Sequence, residues 1–295
     1  MKTAKSVTVT LIGAGNLAHA LGPALKAADY KIDVIASRNT AASRKRAAVL
    51  AKKVGAKAIL LDQIVPTSDI IWLCHTDDAL PETARILALP PGWKGKIVLH
   101  SSGALTSDVL SPLQRAGAYA ASLHPMMTFV PDTKPRMVDV PFAIEGDRRA
   151  VAAAKQIAKA FKSKVFEIKK EAKVLYHAFG SFTSPMLVVT LVTAERVGKA
   201  AGLDRKQLRT IMRPILLQTL HNYLEGGAAA AFSGPVKRGD LNTIRRHLEN
   251  LRKVPGASEV YRALVKSAVM DLPSGNKSGL LKLLKNKIFT TDQHR

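Results

Sequence analysis

The 295-residue sequence predicts an α/β chain, with a doubly wound, mostly parallel sheet followed by a second, all-helical bundle domain. Three observations carry that prediction. Short β-branched runs alternate with helical patterns as far as Ile168, only helical periodicity remains from Glu171 onward, and a glycine-rich turn links the first strand to the first helix. At roughly 100 to 200 residues per domain the length suits two domains, divided by this change of texture into residues 1–170 and 171–295.

The elements follow in order. Val7 to Ile12 reads as a strand that enters Gly13-Ala14-Gly15-Asn16-Leu17-Ala18, after which a helical pattern runs to about Ala28. A second strand, Ile32 to Ala36, ends in Ser37-Arg38-Asn39, and an Ala- and Lys-rich helix follows to about Val54. Apolar runs at Ala58 to Leu61, Ile70 to Leu73, Ile97 to Leu99 and Tyr119 to Leu123 supply further strands. Two short runs, Pro141 to Ile144 and Val165 to Ile168, flank a helix at Arg149 to Phe161 and extend the sheet. The second domain is predicted as helices at Glu171 to Ala201, Arg205 to Leu224, Leu241 to Arg252, Ser258 to Met270 and a short basic piece near Leu280 to Ile288, punctuated by Gly202, Gly226-Gly227, Pro255-Gly256 and Pro273-Ser274-Gly275.

Composition removes whole classes of function. With 47% apolar and 23% charged residues the chain is ordinary globular protein, neither disordered nor collagen-like. Its net charge is +23, but the excess is spread as +12 before residue 170 and +11 after it. A nucleic-acid binder gathers such charge into a stripe or arm and interleaves aromatics, which are only 5% here. Local clusters such as Arg44, Lys45 and Arg46 read as a solvated surface that attracts anionic small molecules. The lone cysteine, Cys74, allows no internal disulfide, and no Cys/His pair has zinc-ligand spacing, which fits a reducing, cytoplasmic setting without a metal. The longest apolar stretch, Phe182 to Ala194, contains Pro185 and falls short of the roughly 20 residues a bilayer requires, so no membrane span is expected.

The chemistry begins at the glycine turn. Gly13 and Gly15, followed by Asn16 and Leu17, let backbone approach a pyrophosphate whose charge then rests on the N-terminus of the next helix. Strand before, helix after and a second strand at the right distance make this a Rossmann-type dinucleotide site. The second strand ends in Ser37-Arg38 where a site selective for NAD carries an acid, so the pair favours the 2'-phosphate of NADP(H). Asp33 lies too early in the strand to reach the ribose.

In open parallel sheets ligands bind beyond the carboxyl ends of the strands. Three such ends are polar: His75-Thr76, His100-Ser101-Ser102 and His124-Pro125. They place His75, Thr76 and Ser101 beside a nicotinamide, with Ser102 toward a substrate. On the first bundle helix Lys173, His177, Ser181 and Ser184 are spaced 4, 4 and 3 residues apart and form one polar stripe expected to line the active cleft, with Ser181 and Ser184 toward the substrate, opposite an apolar face of Leu175, Phe179, Phe182, Leu187 and Leu191 suited to the core. Pro185 should kink this helix, or restart it with Ser184 as the cap.

Four further motifs occur in order: HSSGAL at His100 to Leu105, SLHPMMTF at Ser122 to Phe129, EAKVLYHAFGSF at Glu171 to Phe182 and SGPVKRGDLNTIRRHL at Ser233 to Leu248. With the GxGxxA turn, they resemble the Rossmann-like oxidoreductase family whose C-terminal half is the domain of unknown function 2520, over roughly residues 5 to 255. That family is similar to the superfamily of pyrroline-5-carboxylate reductase, 6-phosphogluconate and β-hydroxyacid dehydrogenases, ketopantoate reductase and the deazaflavin-dependent NADP oxidoreductases. The resemblance implies NADP binding, a helical C-terminal domain and homodimers built through the helices. The β-hydroxyacid and ketopantoate enzymes carry a catalytic Lys followed four residues later by Asn. Lys173 and His177 match that spacing with His in the second place, and Pro185 stands where members of the present family carry Asn. The loop Gly234 to Asp240 resembles the family's most distinctive motif, in which Arg238 would grip a substrate carboxylate or a phosphate, or else Asp240 merely caps the next helix.

Residues and resemblance together predict an NADP(H)-dependent oxidoreductase acting on a small anionic carbonyl compound such as a ketopantoate-like 2-oxoacid. Lys173, assisted by His177 or His124, would stabilise developing charge and supply the proton. An imine reductase of the pyrroline-5-carboxylate reductase type and a non-catalytic NADP-binding redox sensor are the alternatives. A nucleic-acid binder using the +23 charge would not explain the ordered motifs.

Overall fold

The computed structural model describes residues 7–130 and 137–285. The chain divides into two compact units at Ser184/Pro185.

The N-terminal unit is built on an eight-stranded sheet, β1 (Thr8–Ile12), β2 (Lys31–Ser37), β3 (Lys57–Leu60), β4 (Ile70–Leu73), β5 (Ile97–His100), β6 (Tyr119–Pro125), β7 (Phe142–Gly146) and β8 (Val165–Glu167). Spatial order is β3-β2-β1-β4-β5-β6-β7-β8. Every pairing is parallel except β6 with β7. The order reverses between β1 and β4, which opens a crevice at their carboxyl ends. Helices α1 (Asn16–Ala27), α2 (Ala41–Val54), α3 (Leu80–Leu87), α4 (Ser111–Arg115) and α5 (Arg148–Ala160) connect the strands, and α6 (Lys173–Thr183) closes the unit. Two buried cores form on the sheet. One joins Val9, Leu11 and Ile35 to Leu21, Leu25 and Leu50, and the other joins Ile71, Leu73 and Val98 to Leu80, Leu110 and Leu113. Such strands are covered on both sides, which is why they read as continuous apolar runs.

The single antiparallel pairing brings the two backbones close at its end. At Gly146 φ is +138°, and a Cβ would stand 2.4 Å from the Ala120 carbonyl oxygen and 2.5 Å from Ala121 Cα. Only glycine lets β7 run this close against β6.

The C-terminal unit is all-helical: α7 (Pro185–Ala200), α8 (Arg205–Ala231), α9 (Pro235–Arg238), α10 (Leu241–Leu251), α11 (Ala257–Asp271) and α12 (Lys277–Lys285). Asp204 caps α8 in a capping box with Gln207, and Asp240 caps α10 by accepting from the Thr243 amide at 3.1 Å. Ile244, Leu248, Val265, Val269, Leu280 and Leu283 form its core. Gly227, at φ +75° and ψ 179°, is not helical and kinks α8 three residues past the Leu224 expected from sequence. The last part of the basic segment, residues 286–295, lies outside the described residues and includes the end of the helix expected near Leu280 to Ile288.

Two sequence expectations are revised by the helices at the junction. Texture changes at residue 171, yet the compact units part fourteen residues later, because Lys173 at the start of α6 is buried within the sheet unit. In addition, the helical run Lys170–Ala200 is long and apolar enough to cross a bilayer, whereas no segment was expected to reach that length. Ser184 breaks the run at φ −125° and ψ −78°, leaving helices of 11 and 16 residues. Each is shorter than the roughly 20 residues a bilayer requires.

Candidate functional site

The glycine turn is constructed around one close approach. Gly13 sits at φ +96°, and a Cβ there would meet the Cys74 carbonyl oxygen at 3.1 Å, so any side chain would be both strained and crowded. The Gly13 amide donates to the Ala36 carbonyl at 2.8 Å and the Cys74 amide to the Ile12 carbonyl at 2.7 Å, tying the turn to the ends of β2 and β4. Helix α1 begins after Gly15 with no side-chain cap and no acid in its first turn. Its leading amides are therefore left to an anionic ligand.

In front of this turn lies a cavity of about 810 Å³. Gly13, Gly15, Asn16, Leu17, Ser37, Arg38, His75, Thr76 and Ser101 all line it. Four chain segments far apart in sequence thus converge on one crevice, at the switch point of the sheet. Ser37 is buried and Arg38 exposed, a hydroxyl at the wall with a guanidinium at the mouth.

Sequence reasoning missed one member. Arg46, placed among surface charge together with Arg44 and Lys45, lines the same cavity. Its Nε donates to the Ala14 carbonyl at 2.9 Å and a terminal nitrogen to Asn16 Oδ1 at 2.8 Å, while Asn16 Nδ2 donates to the Phe129 carbonyl at 3.0 Å. The available signal was its distance from Ser37, since a residue in the second turn of the helix after β2 faces back toward the glycine turn.

The second cluster sits at the ends of β5 and β6. His124 Nδ1 and the Tyr176 hydroxyl are 2.6 Å apart, and the His124 ring stands edge-on to Tyr176 and to His177 at centroid distances of 5.6 and 6.1 Å. Gly103 packs directly on this group. A Cβ at that position would fall 2.5 Å from His177 Cδ2 and 2.8 Å from His124 Nε2. Ser101, two residues earlier, lines the cavity and accepts from Trp72 Nε1 at 2.7 Å, so a single loop connects the two clusters.

Beneath them is a buried ionic network. Lys173 is 1% exposed and donates to Glu145 Oε1 at 3.0 Å and to the Ser122 hydroxyl. Glu145 also accepts from the Ser107 amide at 2.8 Å and the Ser107 hydroxyl at 2.7 Å. Burial holds the Lys173 ammonium below its ordinary value, and Glu145 opposes that shift. Burial, with the charge of Lys173 beside it, lowers His100 to about 3. Burial also lowers His124 to about 4, helped by His177 and Lys173, and His75 to about 4, helped by Arg38. All three imidazoles are neutral at pH 7. Tyr176 is raised by burial and stays protonated. Burial likewise raises the Cys74 thiol, which makes it unreactive.

Several predicted roles need correction. The polar stripe of α6 is split and its apolar face lies outward: Lys173 is buried and His177 exposed, while Leu175, Phe179 and Phe182 are 76, 58 and 76% exposed. The stripe was expected to face the cleft, but its first member is paired inside the unit instead of being presented to a substrate. Ser102 is buried, its hydroxyl accepting from the Ala104 and Leu105 amides, so it shapes the loop and does not reach outward. The Ser181 hydroxyl donates to the His177 carbonyl of its own helix at 3.2 Å. Ser184 ends α6, its amide donating to the Gly180 carbonyl, and Pro185 starts α7. Arg238 is exposed on α9 of the C-terminal unit, where Asp240 caps the next helix. Glu145 and Tyr176 were not singled out. An acid in an otherwise apolar strand and a phenol between Lys173 and His177 were the signals available for them.

Two family models match the chain, the Rossmann-like domain at residues 2–125 and the domain of unknown function DUF2520 at residues 140–268. The DUF2520 match spans β7 to most of α11, so it crosses the boundary between the compact units. No curated protein matches closely enough to count as a relative. Among solved structures, a candidate NADP oxidoreductase from Bacteroides fragilis is 26% identical with a TM-score of 0.74, covering 89% of this chain and 97% of that one. A protein from Thermotoga maritima is also 26% identical, with a TM-score of 0.68 and coverage of 88% and 96%. A pyrroline-5-carboxylate reductase from Coxiella burnetii, 16% identical with a TM-score of 0.55 over 96% of this chain and 100% of that one, shares the fold.

Proposed function

We propose that the protein is an NADP(H)-dependent oxidoreductase that reduces a small anionic carbonyl compound, with a 2-oxoacid of the ketopantoate type as the first candidate. The observation that carries this reading is the cavity of about 810 Å³, where the glycine turn, Ser37-Arg38 and the polar ends of β4 and β5 meet in one crevice. The residues fit the coenzyme. Gly13 leaves the space a pyrophosphate needs, the uncapped start of α1 offers amides to it, and Ser37 with Arg38 suits a 2'-phosphate. The structural relative from Bacteroides fragilis, a candidate NADP oxidoreductase, supports the same coenzyme.

Bound in this crevice, the coenzyme would supply a hydride. The protein's own residues then bind, orient and donate. Arg46 and Asn16 hold the glycine turn in shape, and His75 and Thr76 line the wall beyond β4. The buried Lys173–Glu145 pair fixes β6, β7 and α6 together through Ser122 and places a positive charge behind the neutral His124. In this reading Lys173 contributes electrostatic field and position, while His124 and His177 stand nearest the reacting centre.

Calorimetric titration with NADPH and NADH, followed by a panel of 2-oxoacids and cyclic imines with loss of reduced-nicotinamide absorbance as readout, tests this proposal. Micromolar NADPH binding with turnover of an oxoacid is expected. Turnover of cyclic imines alone would favour the imine-reductase alternative, and binding without turnover would favour a redox sensor. Absence of heat with either coenzyme would overturn the reading.

We also propose that the chain forms a homodimer through its helices. Leu175, Phe179 and Phe182 on α6, and Ile215, Leu217, Leu220 and Leu224 on α8, are exposed apolar side chains of a kind that solvated helix faces do not gather.

A further inference from the structure

A carbonyl reduced to an alcohol takes up a proton as well as two electrons, and the buried Lys173 is poorly placed to provide it. We infer that Tyr176 is the proton donor of this site and that His124 reloads it, a role that rests on the reductase reading. His124 Nδ1 lies 2.6 Å from the Tyr176 hydroxyl. Both side chains are half-buried, so the pair lies neither loose in solvent nor sealed in the core. A phenol both donates and accepts, and His124 is its one hydrogen-bond partner among the described residues. With His124 as the Nδ1–H tautomer, the phenol oxygen accepts from the ring and its own O–H is left to point at a ligand.

The pair is set where such a ligand would arrive. His124 is the next-to-last residue of β6, and the loop from Ser101 at the cavity wall reaches Gly103, whose missing side chain admits the His124 and His177 rings. The step balances. As hydride from the reduced nicotinamide reaches the substrate carbon, the Tyr176 Oη–H bond breaks and an O–H or N–H bond forms on the substrate. The Nδ1–H of His124 passes to Oη, and His124 Nε2 takes a proton from water, so the net proton comes from solvent. Tyr176 ends protonated and His124 ends as the neutral Nε2–H tautomer, which returns to Nδ1–H by exchange with water.

Two measurements decide the inference. Nitrogen NMR on histidine-labelled protein reads the tautomer directly: Nδ1–H at His124 is expected at pH 7, and Nε2–H would overturn the inference, because the phenol would then spend its proton on the ring. Y176F is then compared with wild type, using NADPH and two kinds of probe. Pyruvate and 2-methyl-1-pyrroline need a proton, whereas N-methyl-1-pyrrolinium already carries its positive charge. Y176F should lose on the order of 10²-fold or more in kcat on the first kind with KM little changed, and keep turnover of the second within about threefold. If Y176F retains turnover on the first kind, or loses both kinds equally while still binding NADPH, the donor role is overturned and the reductase reading stands. A wild type that binds NADPH but reduces none of the probes overturns the reductase reading and the donor role with it.

Discussion

Arg38 and Arg46 line the same cavity but should fail differently when removed. Arg38 is exposed at the mouth and, among the described residues, has no side-chain partner that shapes the turn, so Arg38→Ala should weaken NADPH roughly tenfold or more, about 1.4 kcal/mol, and leave NADH nearly unchanged by calorimetry. Arg46 holds the Ala14 carbonyl and Asn16, so Arg46→Ala should weaken both coenzymes by a similar factor. Lys173 poses a different problem, that of a charge whose removal strands another. Lys173→Met leaves Glu145 buried and unpaired, which should cost on the order of 3–5 kcal/mol in urea unfolding. Adding Glu145→Leu should restore a substantial part of that loss, because an apolar pair of similar volume tolerates burial. Failure of the double variant to recover would mean that the network stabilises through Ser107 and Ser122 and not through the charge pair.

Between elements, the decisive contact is that of the loop after β5 with α6. Gly103→Ala would drive a Cβ to 2.5 Å from His177 Cδ2 and 2.8 Å from His124 Nε2, and a real Cβ does not stand that close. The loop or the helix must move. The expected result is a lowered melting temperature together with a changed His124 resonance, while NADPH affinity stays within about threefold because the glycine turn is untouched. The periodicity of α6 shows why its orientation was misread. A stripe of Lys173, His177, Ser181 and Ser184 opposite Leu175, Phe179 and Phe182 looks like a solvated or cleft-facing side opposite a core-facing one. Glu145, 28 residues earlier, reverses the first part of that expectation by neutralising Lys173 inside the unit. Local pattern cannot anticipate a distant countercharge.

At the scale of the whole molecule, acid should destabilise the fold before most carboxylates titrate. His75, His100 and His124 are held at about 4, 3 and 4 against an ordinary 6.5. Between those values the unfolded chain binds more protons than the folded one, so stability is retained above about pH 6.5 and falls as the pH drops toward 4. Thermal melts should be nearly level from pH 8 to 7 and decline through pH 6 and 5. A melting temperature that held steady to pH 4.5 would place these rings in wetter surroundings. Light scattering should give twice the monomer mass, and Leu217→Lys with Leu224→Lys should return the protein to one copy while leaving NADPH binding in place.

The sequence by itself determined the alternation of strands and helices, the glycine turn, the Ser37-Arg38 ending of the second strand and the all-helical second half. Each is written in neighbouring residues, through the two-residue period of strands, the 3.6-residue period of helices and the freedom of φ that glycine alone allows. It therefore also located the wall of the crevice, since a parallel sheet places its strand ends on one edge. Only the tertiary structure decided that Lys173 lies under the site and not in it, that Tyr176 meets His124, and that Arg46 turns back to the glycine loop. Those facts depend on pairings across 28, 52 and 32 residues, where geometry is set by packing between elements and no local period carries the information.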